Sequence, residues 1–131
     1  MLLEGKVAYV SGIGPGMGRD ISLAFAREGA DVALGGRTLE RLEAVAAEVE
    51  ALGRRALPVV CDVADEASCV EAAGRAAAEL GGIDVLVNNA YDGGDAALFM
   101  DADFDRWRRT MDVNLFGSLA MTRACVPHME A

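Results

Sequence analysis

The chain has 131 residues, 53% of them hydrophobic and 25% charged. This suits one domain with its own core and excludes an intrinsically disordered segment. Twelve Lys and Arg stand against 21 Asp and Glu, for a net charge of −9. Such a balance argues against nucleic acid or an anionic membrane as a partner, and otherwise serves solubility.

The first apolar run, Lys6-Val7-Ala8-Tyr9-Val10, reads as a buried strand ending at Ser11-Gly12. A helix follows over 17–28, stopped by Gly29. Asp31-Val32-Ala33-Leu34 is a second strand, closed by Gly35-Gly36. Thr38 suits the N-cap of a helix running to Leu52, with Leu39, Leu42, Val45, Ala46 and Val49 as its apolar stripe. Residues 56–61 form a third strand, and Pro58, which lacks an N–H, places it at a sheet edge. A third helix opens at Ala64 or Asp65, with Cys69, Val70, Ala73, Ala77 and Leu80 facing inward, and ends at Gly81-Gly82. Residues 83–87 make a fourth strand ending at Asn88-Asn89. After a Gly- and Asp-rich loop over 91–101, a long helix is expected from about Asp103 to Val126. Its stripe is Phe104, Trp107, Met111, Leu115 and Leu119.

The order is βαβαβαβα, and the strands are nearly continuously apolar. Both features predict an α/β fold, a doubly wound parallel sheet of Rossmann type with strand order 3-2-1-4. Repeats, low-complexity tracts and linkers are absent from the pattern, so residues 1–131 read as a single domain.

The first strand runs directly into Ser11-Gly12-Ile13-Gly14-Pro15-Gly16-Met17-Gly18, and a helix follows. Glycines let backbone N–H groups approach a phosphate, and the helix N-terminus adds partial positive charge. An acidic protein can hold a pyrophosphate this way, and the alternative is a plain glycine-rich turn. The pattern G-x-G-x-x-G fails here, because its third glycine falls on Met17 or Arg19. G-x-x-x-G-x-G fits, through Gly12, Gly16 and Gly18.

Three further segments accompany it: Asp62-Val63 after the third strand, Asn88-Asn89-Ala90 after the fourth, and Asn114 within Asp112-Val113-Asn114-Leu115. With Ser11 in place of the usual Thr, this series resembles the short-chain dehydrogenase/reductase family over nearly the whole chain. The resemblance implies an oxidoreductase that moves a hydride between a nicotinamide cofactor and a small-molecule alcohol or carbonyl substrate, and that forms a homo-oligomer at full length. It implies cofactor contacts from Gly12, Gly14, Gly16, Met17 and Gly18 at the pyrophosphate. Asp62 and Val63 would meet the adenine, and Asn88 and Ala90 the nicotinamide ribose region. Asn114 would be the one catalytic position present, holding a water in a proton relay. Tyr91 stands where the family usually has Gly, and it either shapes the substrate mouth or covers the loop.

At the end of the second strand, an acidic side chain holds the ribose of NAD, whereas an Arg accommodates the 2′-phosphate of NADP. Here the segment is Gly35-Gly36-Arg37-Thr38, with no carboxylate. Arg37 offers a fork of donors and Thr38 a hydroxyl, so NADP(H) is expected over NAD(H).

The family's proton chemistry needs a Tyr with a Lys four residues later. A phenol of pKa ~10 works at neutral pH only beside a cation. Four residues after Tyr9 is Ile13, four after Tyr91 is Asp95, and the sole Lys is Lys6. The 131 residues are therefore expected to be the cofactor-binding part of a longer enzyme and inactive alone. Two alternatives remain: a module that binds NADPH without turnover, and an assembly partner using Phe104 to Leu119.

Three cysteines, Cys61, Cys69 and Cys125, are too few and too irregular for a disulfide framework or a zinc motif. No apolar run approaches the ~20 residues of a membrane span. Met1 to Lys6 does not read as a signal peptide, so a cytoplasmic location is expected. Asp101, Asp103, Asp105 and Asp112 match positions of a calcium loop, but Arg106 occupies the obligatory glycine position. They read instead as carboxylates at a helix start, and no metal site is expected.

Overall fold

The computed structural model describes residues 1–130. Four parallel strands, β1 (Val7–Ser11), β2 (Asp31–Gly36), β3 (Ala56–Val60) and β4 (Val85–Asn88), lie in the order β3-β2-β1-β4. Pro58 is on the edge strand β3, where its missing donor costs no ladder bond. Residues alternate across the sheet. Val7 and Tyr9 join one core cluster, Val10 with Val32 and Leu34 the other.

Helices α1 (Met17–Arg27) and α2 (Leu39–Ala51) cover one face. Leu42, Val45, Ala46 and Val49 of α2 are buried, whereas Leu39, expected in the stripe, is exposed at the helix start. On the other face lies α3 (Glu66–Leu80), opened by Asp65, whose carboxylate accepts from Ala67 N–H at 3.1 Å. Gly81 ends α3 in the left-handed conformation. Its inward residues are Cys69, Ala72, Ala73, Ala76 and Leu80. Val70 is exposed, contrary to expectation, because it sits one residue, about 100°, off the buried stripe.

The long C-terminal helix is three consecutive pieces. These are α4 (Phe104–Met111), a π-helical segment Asp112–Gly117, and α5 (Ser118–Met129). Asp103 caps α4 by accepting from Asp105 N–H at 2.9 Å, as a helix-start carboxylate should. The buried residues are Val113, Gly117, Met121 and Cys125. The stripe drawn from sequence lies on the opposite side, where Phe104, Met111, Leu115 and Leu119 are exposed. Met111, Leu115 and Leu119 each lie two residues, about 200°, from the buried Val113, Gly117 and Met121, so the stripe follows the wrong face along its whole length. Gly117 is needed where the helix crosses α3's approach, since a Cβ there would lie 2.7 Å from Val63 Cγ2.

All three cysteines are buried and free. Burial, then the neighbouring Cys61, pushes the Cys69 thiol up to about 12, and burial pushes Cys125 up to about 11. All three pack as small hydrophobes, and the Cys69 and Cys125 thiols keep their protons.

Candidate functional site

A cleft with a volume of about 620 Å³ opens where the strands end and their following loops begin. Both its size and its place suit a ligand site of an open α/β sheet.

Its first wall is the glycine loop. The N–H groups of Gly12 and Ile13 both donate to Gly35 O, at 2.9 and 3.0 Å. Gly12 has φ +93°, and a Cβ there would overlap the backbone of Ala90. Gly18 is equally constrained, with Gly12 O 2.5 Å from where its Cβ would be. Gly14 and Gly16 differ: a Cβ on either would meet no atom within 4 Å. Packing inside the chain does not ask for glycine at those two places. Close approach of an outside group to the backbone would. Gly16 also begins α1 without a side-chain cap, which leaves first-turn N–H groups for an anion.

The second wall follows β2. Arg37 and Thr38 line the cleft, joined by Arg41 one turn into α2. Thr38 is the N-cap by position, but its hydroxyl makes no capping bond. Neither Arg37 nor Arg41 has an ion-pair partner among the described residues. Glu40, the nearest carboxylate in sequence, is exposed and does not line the cleft.

The third wall is Asp62 and Val63 after β3. Ala64 N–H donates to Asp62 Oδ1 at 3.0 Å, and Arg109 Nη2 stands 3.7 Å from the same oxygen.

The far end is built from residues 89–93. Asn89 lines the cleft, and its Nδ2 donates to Gly12 O at 3.0 Å, tying the glycine loop to the end of β4. Asn88, expected at the cofactor, does not line the cleft and donates to Thr122 Oγ1 at 3.0 Å. Successive strand residues point to opposite faces, so the two asparagines cannot share one role. Ala90 and the ring of Tyr91 line the cleft, Tyr91 being 79% exposed.

Asn114 sits in the π-helical segment and does not line the cleft. Its Oδ1 accepts from Asp92 N–H at 2.7 Å, and its Nδ2 donates to Asp92 O at 3.0 Å. Asp92 itself does line the cleft. Its side chain takes both arms of Arg106, Nη1 to Oδ2 at 2.6 Å and Nη2 to Oδ1 at 2.7 Å. The Arg106 guanidinium, then the Gly94 N–H, hold this carboxyl at about 2, below the usual range.

Every other cofactor position read from the sequence, from Gly12 through Val63 to Ala90, lines this one cleft. Asn89, Arg41, Arg106 and Arg109 were missed. The i, i+4 spacing of Arg37 and Arg41 and the i, i+3 spacing of Arg106 and Arg109 were the available signals. Together Arg37, Arg41, Arg106 and Arg109 face only Asp62 and Asp92 across the cleft, so the local charge is opposite in sign to the net −9 of the chain. Such a basic cleft attracts an anionic ligand despite the acidic surface.

Proton-transfer groups are scarce here. The Tyr9 phenol is buried without a hydrogen-bond partner among the described residues, and burial, then the Cys61 thiol, pushes its pKa far above the ordinary value. Lys6 lies beside Asp84, 3.9 Å away. Neither Tyr9 nor Tyr91 therefore has the ammonium neighbour a working phenol needs. Among the described residues no helix is long and apolar enough to cross a membrane.

Comparison with known proteins places this geometry. The chain is 41% identical over 127 residues to short chain dehydrogenase tazN of Aspergillus terreus, covering 95% of the chain and 28% of that protein. It is 38% identical to the 3-oxoacyl-[acyl-carrier-protein] reductase FabG of Thermotoga maritima, covering 98% of the chain and 52% of that protein. Among solved structures, NAD+-bound xylitol dehydrogenase superposes with a TM-score of 0.94 at 32% identity, covering 98% of this chain and 50% of that one. A blue fluorescent protein from a metagenomic library, in complex with NADPH, superposes with a TM-score of 0.90 at 35% identity, covering 98% and 53%. The chain thus spans about half the length of most proteins it matches. A family profile described as short chain dehydrogenase matches residues 6–131, and the chain belongs to that family of nicotinamide-dependent oxidoreductases.

Proposed function

We propose that this chain is the NADP(H)-holding portion of an oxidoreductase that interconverts a small-molecule alcohol and its carbonyl. The family accommodates either nicotinamide cofactor, since one similar structure carries NAD+ and another NADPH. The observation that carries the choice is the end of β2. Arg37, Thr38 and Arg41 line the cleft there without a carboxylate among them. A ribose 2′-OH would find no acceptor at that place, whereas a 2′-phosphate would find two guanidinium groups and a hydroxyl.

The residues fit the cofactor in the order of its parts. The open space before Gly14 and Gly16 and the first turn of α1 at Met17 and Gly18 would take the pyrophosphate. Asp62 and Val63 would bound the adenine, and Asn89 and Ala90 the nicotinamide ribose. Bound there, the cofactor supplies or accepts the hydride. The chain's part is to orient it, exclude water, and hold the loop after β4 through Asn114. Asn114 would also mark the helix opening where a relay water is held, since π turns release backbone groups from the regular ladder.

Without a Tyr-x-x-x-Lys pair the 131 residues would bind the cofactor without turnover, and the catalytic pair would belong to the full-length protein. The exposed apolar residues Phe104, Met111, Leu115 and Leu119 favour a homo-oligomer at full length, and the fold suits a cytoplasmic protein.

Fluorescence titration with NADPH and NADH tests the reading. NADPH should bind at least about tenfold more tightly. Equal affinities would overturn the cofactor choice. Binding by the full-length protein without carbonyl reduction would favour a non-catalytic module.

A further inference from the structure

Asp92 is gripped from two directions. Asn114 holds its backbone by both amide atoms, at 2.7 and 3.0 Å. Arg106 holds its carboxylate with a two-pronged fork at 2.6 and 2.7 Å and reaches on to Gly94 O at 3.1 Å. The carboxylate also accepts from Gly94 N–H at 2.8 Å, closing a tight turn over residues 92–94. Thr110 completes the seat. Its hydroxyl donates to Arg106 O at 3.0 Å, and its side chain lies against Gly94, where a Cβ would be 3.6 Å from Oγ1.

Tyr91, Asp92 and Gly93 form the far end of the cleft, and Arg106 reaches them from α4. We infer that Arg106 is a positioning residue. By fixing the Asp92 carboxylate it sets the 91–94 turn and the Asn114 amide, and so shapes the end of the cleft that receives the nicotinamide.

The inference rests on the cofactor reading above and adds to it. The planar guanidinium fork matches a carboxylate in a way a single ammonium cannot. The Asp92 side chain is 14% exposed and the Arg106 side chain 39%, so the pair is shielded from water on the Asp92 side. Among the described residues no hydrogen bond joins the adenosine half of the cleft, at Arg37 and Asp62, to this clamp, and the link between them is the 3.7 Å ion pair of Asp62 with Arg109, one turn along α4 from Arg106.

The test compares Arg106→Gln and Arg106→Lys with the unmodified full-length protein by fluorescence titration. Two ligands are used: NADPH, and adenosine 2′,5′-bisphosphate, which carries the adenosine half without nicotinamide. The Gln variant should bind NADPH about tenfold more weakly and the bisphosphate unchanged, and the Lys variant should recover only part of the loss. The nicotinamide emission at saturation should fall in both, because the ring is less fixed. Unchanged NADPH affinity and emission in the Gln variant would overturn the inference. Parallel weakening of both ligands with a lowered melting temperature would also overturn it, since that marks a purely structural pair. Failure of the unmodified protein to bind NADPH would overturn the cofactor reading instead. The emission of the Gln variant is read with NADH in that event, so that the clamp is judged separately.

Discussion

The two ends of the sheet use the same four strands and opposite polar strategies. At the amino ends the main charged groups pair with one another within the chain. Asp31, 6% exposed, accepts from Arg55 N–H at 3.0 Å and from Arg55 Nε at 2.9 Å, and forms an ion pair with Arg54 Nη2 at 2.8 Å. Arg55 continues to Leu80 O at the end of α3, at 3.1 Å, and Asp84 accepts from Val7 N–H at 2.8 Å. At the carboxyl ends, Gly14 and Gly16 face open space, Thr38 caps nothing, and Arg37 and Arg41 have no ion-pair partner among the described residues. One end is a self-satisfied clamp, the other a set of donors kept for something else. Unpaired donors at one end and paired charges at the other match a division between the proposed binding and stability in the same small domain.

That separation can be broken by experiment, beginning with the position where the two properties coincide. Gly12→Val adds strain at φ +93° and overlap with Ala90. It should cost on the order of 4 kcal/mol in urea unfolding and abolish NADPH binding. Asp31→Ala leaves two guanidinium groups facing an empty site. It should destabilise by about 3 kcal/mol, with the affinity of the remaining folded protein for NADPH unchanged. An affinity that fell in step with stability would show the two ends to be coupled. Arg37→Ala is the converse: the dissociation constant for NADPH should rise roughly 30-fold. Its melting temperature, followed by calorimetry, should stay within about 2 °C.

The smallest effect is the pH response of the two clamped carboxylates. Burial pushes Asp31 up, but the Arg55 N–H and guanidinium, with Arg54, outweigh it and lower the pKa overall. Asp92, held by Arg106, sits at about 2. Both folded values are depressed, so their stabilisation is full above the ordinary value of ~3.9 and is lost as pH falls toward the folded values. Arg106→Gln should move the Asp92 titration upward, visible in its carboxyl carbon NMR signal. Asp31 should titrate as before in that variant. A shift of both would contradict the independence of the two ends.

Much of this was legible in the residues. The alternation of short apolar runs with helical patterns specified the parallel sheet and its order, and Pro58 specified the edge. The glycine spacing alone marks the first wall of the cleft. Local signals suffice for these features because they reside in backbone geometry: a strand's pleat, a cap, a residue without a Cβ. What failed was the assignment of faces. Val70 and the stripe from Phe104 to Leu119 are exposed, and Asn88 and Asn89 exchange roles.

By itself, then, the sequence determined the fold class, the glycine loop, the missing carboxylate after β2 and the absence of a Tyr-x-x-x-Lys pair. Tertiary structure alone decided which side of the last helix is core, because the face that docks in the cluster with α3 carries Val113, Gly117, Met121 and Cys125, while equally apolar Leu115 and Leu119 lie on the exposed side. It alone brought Arg106 to Asp92 and Arg109 toward Asp62, across 14 and 47 residues of chain. Those pairings depend on how helices dock against the sheet, and docking is a property of the packed whole rather than of any segment.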